Sequence, residues 1–169
     1  MKKDAKKQRR KPQQARAVAK YNAILDASAR VLQQQGYRRA TMSEIHLESG
    51  HPYATIYQYF GSKEDVYLAW LERFMEVSIF ELATLIRNAP AGNVQQHLEI
   101  AVRYSLQQII NNRNTLVRLI NGMSLISSRL VELMEENSAQ WIEQALGPQL
   151  RGSDNPRLKE NLLTAARAG

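Results

Sequence analysis

The sequence contains no cysteine, which excludes disulfides, thiolate nucleophiles and thiolate metal sites. It has no apolar run long enough to cross a bilayer, which takes about 18 residues or more. The start is basic like that of a signal peptide, yet no apolar stretch follows it, so a cytoplasmic protein with no membrane contact is expected. Gly and Pro are scarce, eight and five in 169 residues, and several long segments hold neither. Helices are therefore favoured over a turn-rich β fold. Alternating strand patterns and internal repeats do not stand out. Nor is there a nucleophile elbow, a phosphate-binding glycine loop or a zinc-ligand spacing. His97 stands alone, and Glu132, Glu135 and Glu136 lack a His or Cys at ligand spacing, so they read as a solvated helix face. The expectation is a protein that is not an enzyme and uses no cofactor or metal.

What is present is an ordinary globular composition, 44% hydrophobic and 23% charged, with an uneven distribution of charge. The whole chain carries +7, yet residues 1–20 hold nine Lys or Arg against one Asp. That segment is +8, which leaves the other 149 residues at −1. The basicity sits in an arm whose densest part is Lys6, Lys7, Arg9, Arg10 and Lys11. Such an arm is either a solvated, disordered tail or a segment that neutralises phosphates beside a major-groove reader.

Ile24, Ala27, Ser28, Val31 and Leu32 recur at i, i+3, i+4, i+7 and i+8, which puts one buried stripe on a helix from about 17 to 35. Gly36 is expected to end it in a left-handed cap. Thr41 with Glu44 three residues on reads as a capping box, each side chain satisfying an orphan N–H of a short second helix that ends at Gly50. A third short helix is expected from Pro52, where a missing N–H costs nothing, to Tyr59. Ser62 and Asp65 make another capping box and open a long helix through about Asn88. Two helices of about two turns cannot stand alone in water. Braced by their longer neighbours, they form the helix-turn-helix arrangement that presents one helix to the major groove, over roughly residues 41–60.

The helix from Lys63 is apolar on more than one side, with Val66, Trp70, Phe74 and Val77 on one and Leu68, Leu71, Met75, Ile79 and Leu82 on another. A helix of that kind is buried between two bodies, and it reads as the connector to a second, larger unit. After a break at 89–92, helices are expected over about 93–112, 114–122, 124–146 and 156–168.

These residues resemble the TetR family of bacterial regulators. The likeness runs from Ile24 to about Phe74, through Gly36-Tyr37, Ala40-Thr41-Met42-Ser43-Glu44-Ile45 and Gly50. It is densest at Ala54-Thr55-Ile56-Tyr57-Gln58-Tyr59-Phe60-Gly61-Ser62-Lys63-Glu64. It implies an all-α protein divided into a basic arm (1–17), a helix-turn-helix DNA-binding domain (18–62) and a helical effector-binding and dimerisation domain (63–169). It also implies a homodimer on a near-palindromic operator, and a small-molecule effector bound by the C-terminal half. Three departures from the family pattern are expected to matter. His46 stands where a small residue is usual, and His51 where an apolar one is usual. The chain also stops at Gly169, inside what the resemblance makes the first dimerisation helix.

Base edges are read by side chains on the outward face of the third helix near its start. Ile56 and Phe60 face inward, which leaves Pro52, Tyr53, Ala54, Thr55 and Gln58 as the expected base contacts, Gln58 suited to adenine and Thr55 to thymine. Thr41, Tyr57 and Lys63 are the expected phosphate contacts, Lys63 because a cation at a helix N-terminus is disfavoured unless something negative approaches. Arg38 and Arg39 read as loop charges. Met75, Tyr104, Met123, Met134 and Trp141 are candidate lining of an effector pocket, although such residues at helical spacing are more often plain core.

The leading reading is a sequence-specific DNA-binding transcriptional regulator, a repressor released from double-stranded DNA by a small-molecule effector. Two others stay open: a nucleoid-associated, architectural DNA binder relying on the arm, and a truncated regulator with impaired dimerisation.

Overall fold

The computed structural model describes residues 11–89, 94–123, 128 and 132. The helices expected beyond 123 lie outside the described residues, as do Met134, Trp141 and the arm residues Lys6, Lys7, Arg9 and Arg10. Among the described residues every element is a helix: α1 (Ala15–Gln35), α2 (Met42–Ser49), α3 (Tyr53–Tyr59), α4 (Lys63–Asn88), α5 (Val94–Asn111) and α6 (Arg113–Gly122). None is long and apolar enough to cross a membrane.

Helix α1 buries Ile24, Leu25, Ala27, Ser28, Val31 and Leu32, the stripe that the periodicity places inside. Its end differs from the expected left-handed cap. Gly36 has a φ of 76°, which favours glycine, but a ψ of 164°, so the chain leaves the helix extended. Gly50 does take the left-handed conformation, at φ 66° and ψ 8°. Its N–H closes α2 on the carbonyl of His46 at 3.0 Å.

The buried cluster of the head joins α1, Ala40, Ile45 of α2, Ile56 and Phe60 around α3, and Val66, Tyr67, Trp70 and Leu71 from the first half of α4. Tyr67 is wholly buried and donates its hydroxyl hydrogen to the Ser28 carbonyl at 3.2 Å. Burial away from water pushes that phenol well above the ordinary tyrosine range. The cluster extends past residue 62, and it also takes in Leu119 and Met123 at the end of α6. Gln33 on α1 donates to the Thr115 hydroxyl of α6 at 2.7 Å. Arg73 of α4 reaches back to α1, with hydrogen bonds to Asn22 and an ion pair of 2.5 Å to Asp26. Helix α4 therefore belongs to both bodies. Its first half is head core, while Leu82, Ala83 and Ile86 are buried along the second half, where the helix packs on α5.

Candidate DNA interface and the adjoining cleft

The start of α2 is fixed by Thr41, whose hydroxyl oxygen accepts from the Glu44 N–H at 3.2 Å. The reciprocal half of the expected capping box differs. The Glu44 carboxylate accepts instead from the Gln35 side chain of α1 at 3.0 Å, tying α2 to its neighbour. At α4 the Asp65 N–H donates to the Ser62 hydroxyl at 3.3 Å, and the Asp65 carboxylate accepts from the Gly61 N–H at 3.0 Å. This box is displaced by one residue toward the preceding turn. Pro52 is the N-cap of α3 and not its first helical residue, which still suits a residue with no N–H to satisfy.

On α3 the core anchors are Ile56 and, just past its end, Phe60, at 0% and 2% exposure. The opposite side presents Pro52, Tyr53, Ala54, Tyr57 and Gln58 to solvent, with Thr55 half-buried beside them. The five residues expected at base edges thus lie on one short helix and its N-cap, with no bulky core side chain among them. Thr41 is exposed, and its hydroxyl hydrogen remains available to a phosphate after the oxygen has capped α2.

Lys63 has a protein partner as well as a place at a helix N-terminus. Its ammonium donates to the Tyr37 carbonyl at 3.0 Å and stands 4.3 Å from the centre of the Tyr37 ring. The Tyr37 hydroxyl in turn donates to the Glu64 carboxylate at 2.8 Å. Burial alone would raise the Glu64 pKa, but the hydrogen bonds from Tyr37, from its own backbone and from Ser62, with the Lys63 charge, leave it below the ordinary carboxylate value. Those contacts hold the Lys63 stem at the edge of the head, with its ammonium on the Tyr37 carbonyl and ring. Lys11, the one described residue of the densest part of the arm, lies against α4, paired to Glu76 at 2.5 Å with Glu72 at 3.9 Å.

Sequence reasoning missed two features. One is the ring stack formed by His46, Tyr53 and Tyr57; the unusual histidine was the available signal. The other is Gly122, which faces Tyr37 so closely that a Cβ there would lie 2.3 Å from the Tyr37 Cβ. A glycine at a helix end gives no sign of what it faces.

Beside the head, α4, α5 and α6 form a cleft of about 690 Å³ whose described wall is mostly apolar, with Phe74, Leu82, Leu98, Val102, Leu116 and Ile120 among its side chains. Of the expected lining, Met75 and Tyr104 stand in its wall. Met123 does not: it is 4% exposed and packs in the head cluster, because α6 runs its last turn onto α1. The few polar groups of the wall include Tyr104, Gln108 and Arg113. Tyr104 donates to Glu81 of α4 at 2.6 Å, and burial, then that carboxylate, pushes its phenol up to about 12. Among the described residues no cluster of three metal-ligating side chains occurs.

A helix-turn-helix whose second helix turns its polar and aromatic side chains outward has the form that can present them to a major groove. Residues 24–70, the stretch that holds the helix-turn-helix, match the family model of bacterial regulatory proteins, tetR family. The fatty acid metabolism regulator protein of Bacillus subtilis (strain 168) is 30% identical over 87 residues, 52% of this chain and 45% of that protein. The match therefore spans less than half of that relative. Among solved structures, the fatty acid degradation regulator from Bacillus halodurans is similar with a TM-score of 0.64 at 22% identity, covering 94% of this chain and 86% of that one. A TetR-like transcriptional regulator from Rhodococcus sp. RHA1 is similar with a TM-score of 0.51 at 21% identity, covering 92% and 80%. These two likenesses show a shared all-helical fold.

Proposed function

We propose that this chain is a cytoplasmic, homodimeric transcriptional repressor that reads its operator with α3 and leaves it when an apolar small molecule fills the cleft. The observation that carries this reading is that α4 and α6 serve both bodies. Each lines the cleft and each contributes buried side chains to the head. A ligand that spreads the cleft changes the packing on which the head stands, and a regulator needs such a shared element. The base contacts are Pro52, Tyr53, Ala54, Thr55 and Gln58; Thr41, Tyr57 and Lys63 bind phosphate and so set register.

The chemistry of the wall selects the effector. A cleft this apolar favours a hydrocarbon body, and among the described residues of its wall Arg113 supplies the cation for an acidic end. Two of the similar proteins are named for the regulation of fatty acid metabolism or degradation, and a fatty acyl ligand fits the wall. The test is an affinity measurement on a duplex selected by the protein from a random pool, with and without palmitate. Release of DNA by palmitate at concentrations where octanol-sized alcohols do nothing is the expected result. Unchanged DNA affinity in the presence of bound palmitate would refute release by a fatty acyl ligand, and failure of palmitate to bind would remove the fatty acyl assignment.

A further inference from the structure

His46 sits on α2 where it meets the start of α3, and its ring is held from two directions. One face stacks on Tyr53, with centroids 4.2 Å apart and planes 27° from parallel. The Nδ1 lies 2.7 Å from the carbonyl oxygen of His51. A carbonyl only accepts, so Nδ1 carries the hydrogen and donates it. Tyr53 is the first residue of α3 and is 41% exposed. A tyrosine in that place is ordinarily free to turn about two side-chain torsions. The stack removes that freedom, and the Tyr57 ring one turn on continues it at 6.3 Å and 20°.

We infer that His46 is a positioning residue for DNA recognition: its ring fixes the face that Tyr53 presents, and so sets base preference beneath Tyr53. The inference rests on the reading of α3 as the recognition helix. A rigid aromatic contributes contact area with little entropy left to lose, whereas a swinging one fits several bases about equally. The hydrogen bond to His51 is the secondary part of the role, because the turn has other supports. Gly50 already takes the left-handed conformation, and the His51 N–H donates to the Ser49 hydroxyl at 3.3 Å. Tyr53 has ring contacts to His46 and Tyr57, and the one to His46 is the closer, at 4.2 Å against 6.3 Å.

The two ring contacts are separable by substitution. His46→Phe keeps a flat ring and loses the donor. His46→Asn keeps a donor for His51 and loses the ring, and His46→Ala loses both. Each full-length variant, with the parent chain, is used to select duplexes from a random pool, and melting curves report folding. We expect His46→Ala and His46→Asn to flatten preference at one base pair per half-site and weaken binding of the best duplex by about tenfold. His46→Phe should retain the parental profile. Because His46 acts through Tyr53, adding His46→Ala to Tyr53→Ala should change nothing further at that base pair. A uniform loss of affinity with an unchanged profile, or full additivity of the two substitutions, overturns the inference and makes His46 a packing residue. A parent chain that enriches no sequence overturns the α3 reading itself, and the inference with it.

Discussion

Replacing Gly122 by alanine places a methyl group where Tyr37 already stands. The added Cβ would lie 2.3, 2.4 and 2.7 Å from the Cβ, Cγ and Cδ1 of Tyr37. Those atoms are the root and near edge of the ring, so the clash cannot be relieved by swinging a flexible tip. On an open helix surface the same substitution stabilises by up to about 1 kcal/mol. Here α6 must back away from α1, or Tyr37 must move. The first loosens Leu119 and Met123 from the head, and overpacking of this kind costs about 1–3 kcal/mol. The second disturbs the Tyr37 contacts to Glu64 and Lys63, worth about 1 kcal/mol more for partly exposed groups. The net expectation is a loss of about 2 kcal/mol, which lowers Tm by about 4–8 °C in a chain of this size. Calorimetry on the full chain measures it. A Tm equal to or above that of the parent protein would refute the close approach of α6 to the Tyr37 turn.

Gly50→Ala meets no atom within 4 Å, so its cost is the backbone alone, about 1–2 kcal/mol; melting curves should show a fall, and none would contradict the left-handed turn. Glu64 titrates below its ordinary value of 4.5 in the folded chain. Its contribution to stability is present above about pH 4.5 and is lost as the pH falls through the lower folded value. Glu64→Gln should remove that part of the acid dependence, and an unchanged pH profile of stability would show that the Tyr37 contact has no such effect. Combined Tyr57→Phe and Lys63→Ala should weaken DNA binding and make its salt dependence shallower by about one ion, with circular dichroism unchanged; affinity equal to the parent's at matched salt would sink both phosphate assignments.

The local rules were legible where they are truly local. Thr41, Gly50 and Ser62 mark helix ends because a cap depends on residues three or four away, and the α1 stripe follows from periodicity alone. The reciprocal caps were less legible, since Glu44 and Asp65 each had a second donor to choose: the packing of α2 on α1 gave Glu44 the Gln35 side chain, and the preceding turn gave Asp65 the Gly61 N–H. Met123 reads as a pocket residue by type, yet α6 carries it onto α1. That is a pairing between segments more than eighty residues apart, which no window of sequence contains. Gly122 and the His46 stack were hidden for the same reason: their meaning lies in the partner they face.

If α3 is the recognition helix, its exposed face lies against DNA. The most direct test places a photocrosslinking residue at Gln58, and in a second protein at Phe80, which is 70% exposed on the far half of α4. Each is irradiated with a duplex selected by the parent chain. Efficient crosslinking to DNA is expected from position 58 and only background from position 80. Background at 58 from a protein that still binds its duplex, or comparable crosslinking from 80, would contradict that placement of α3.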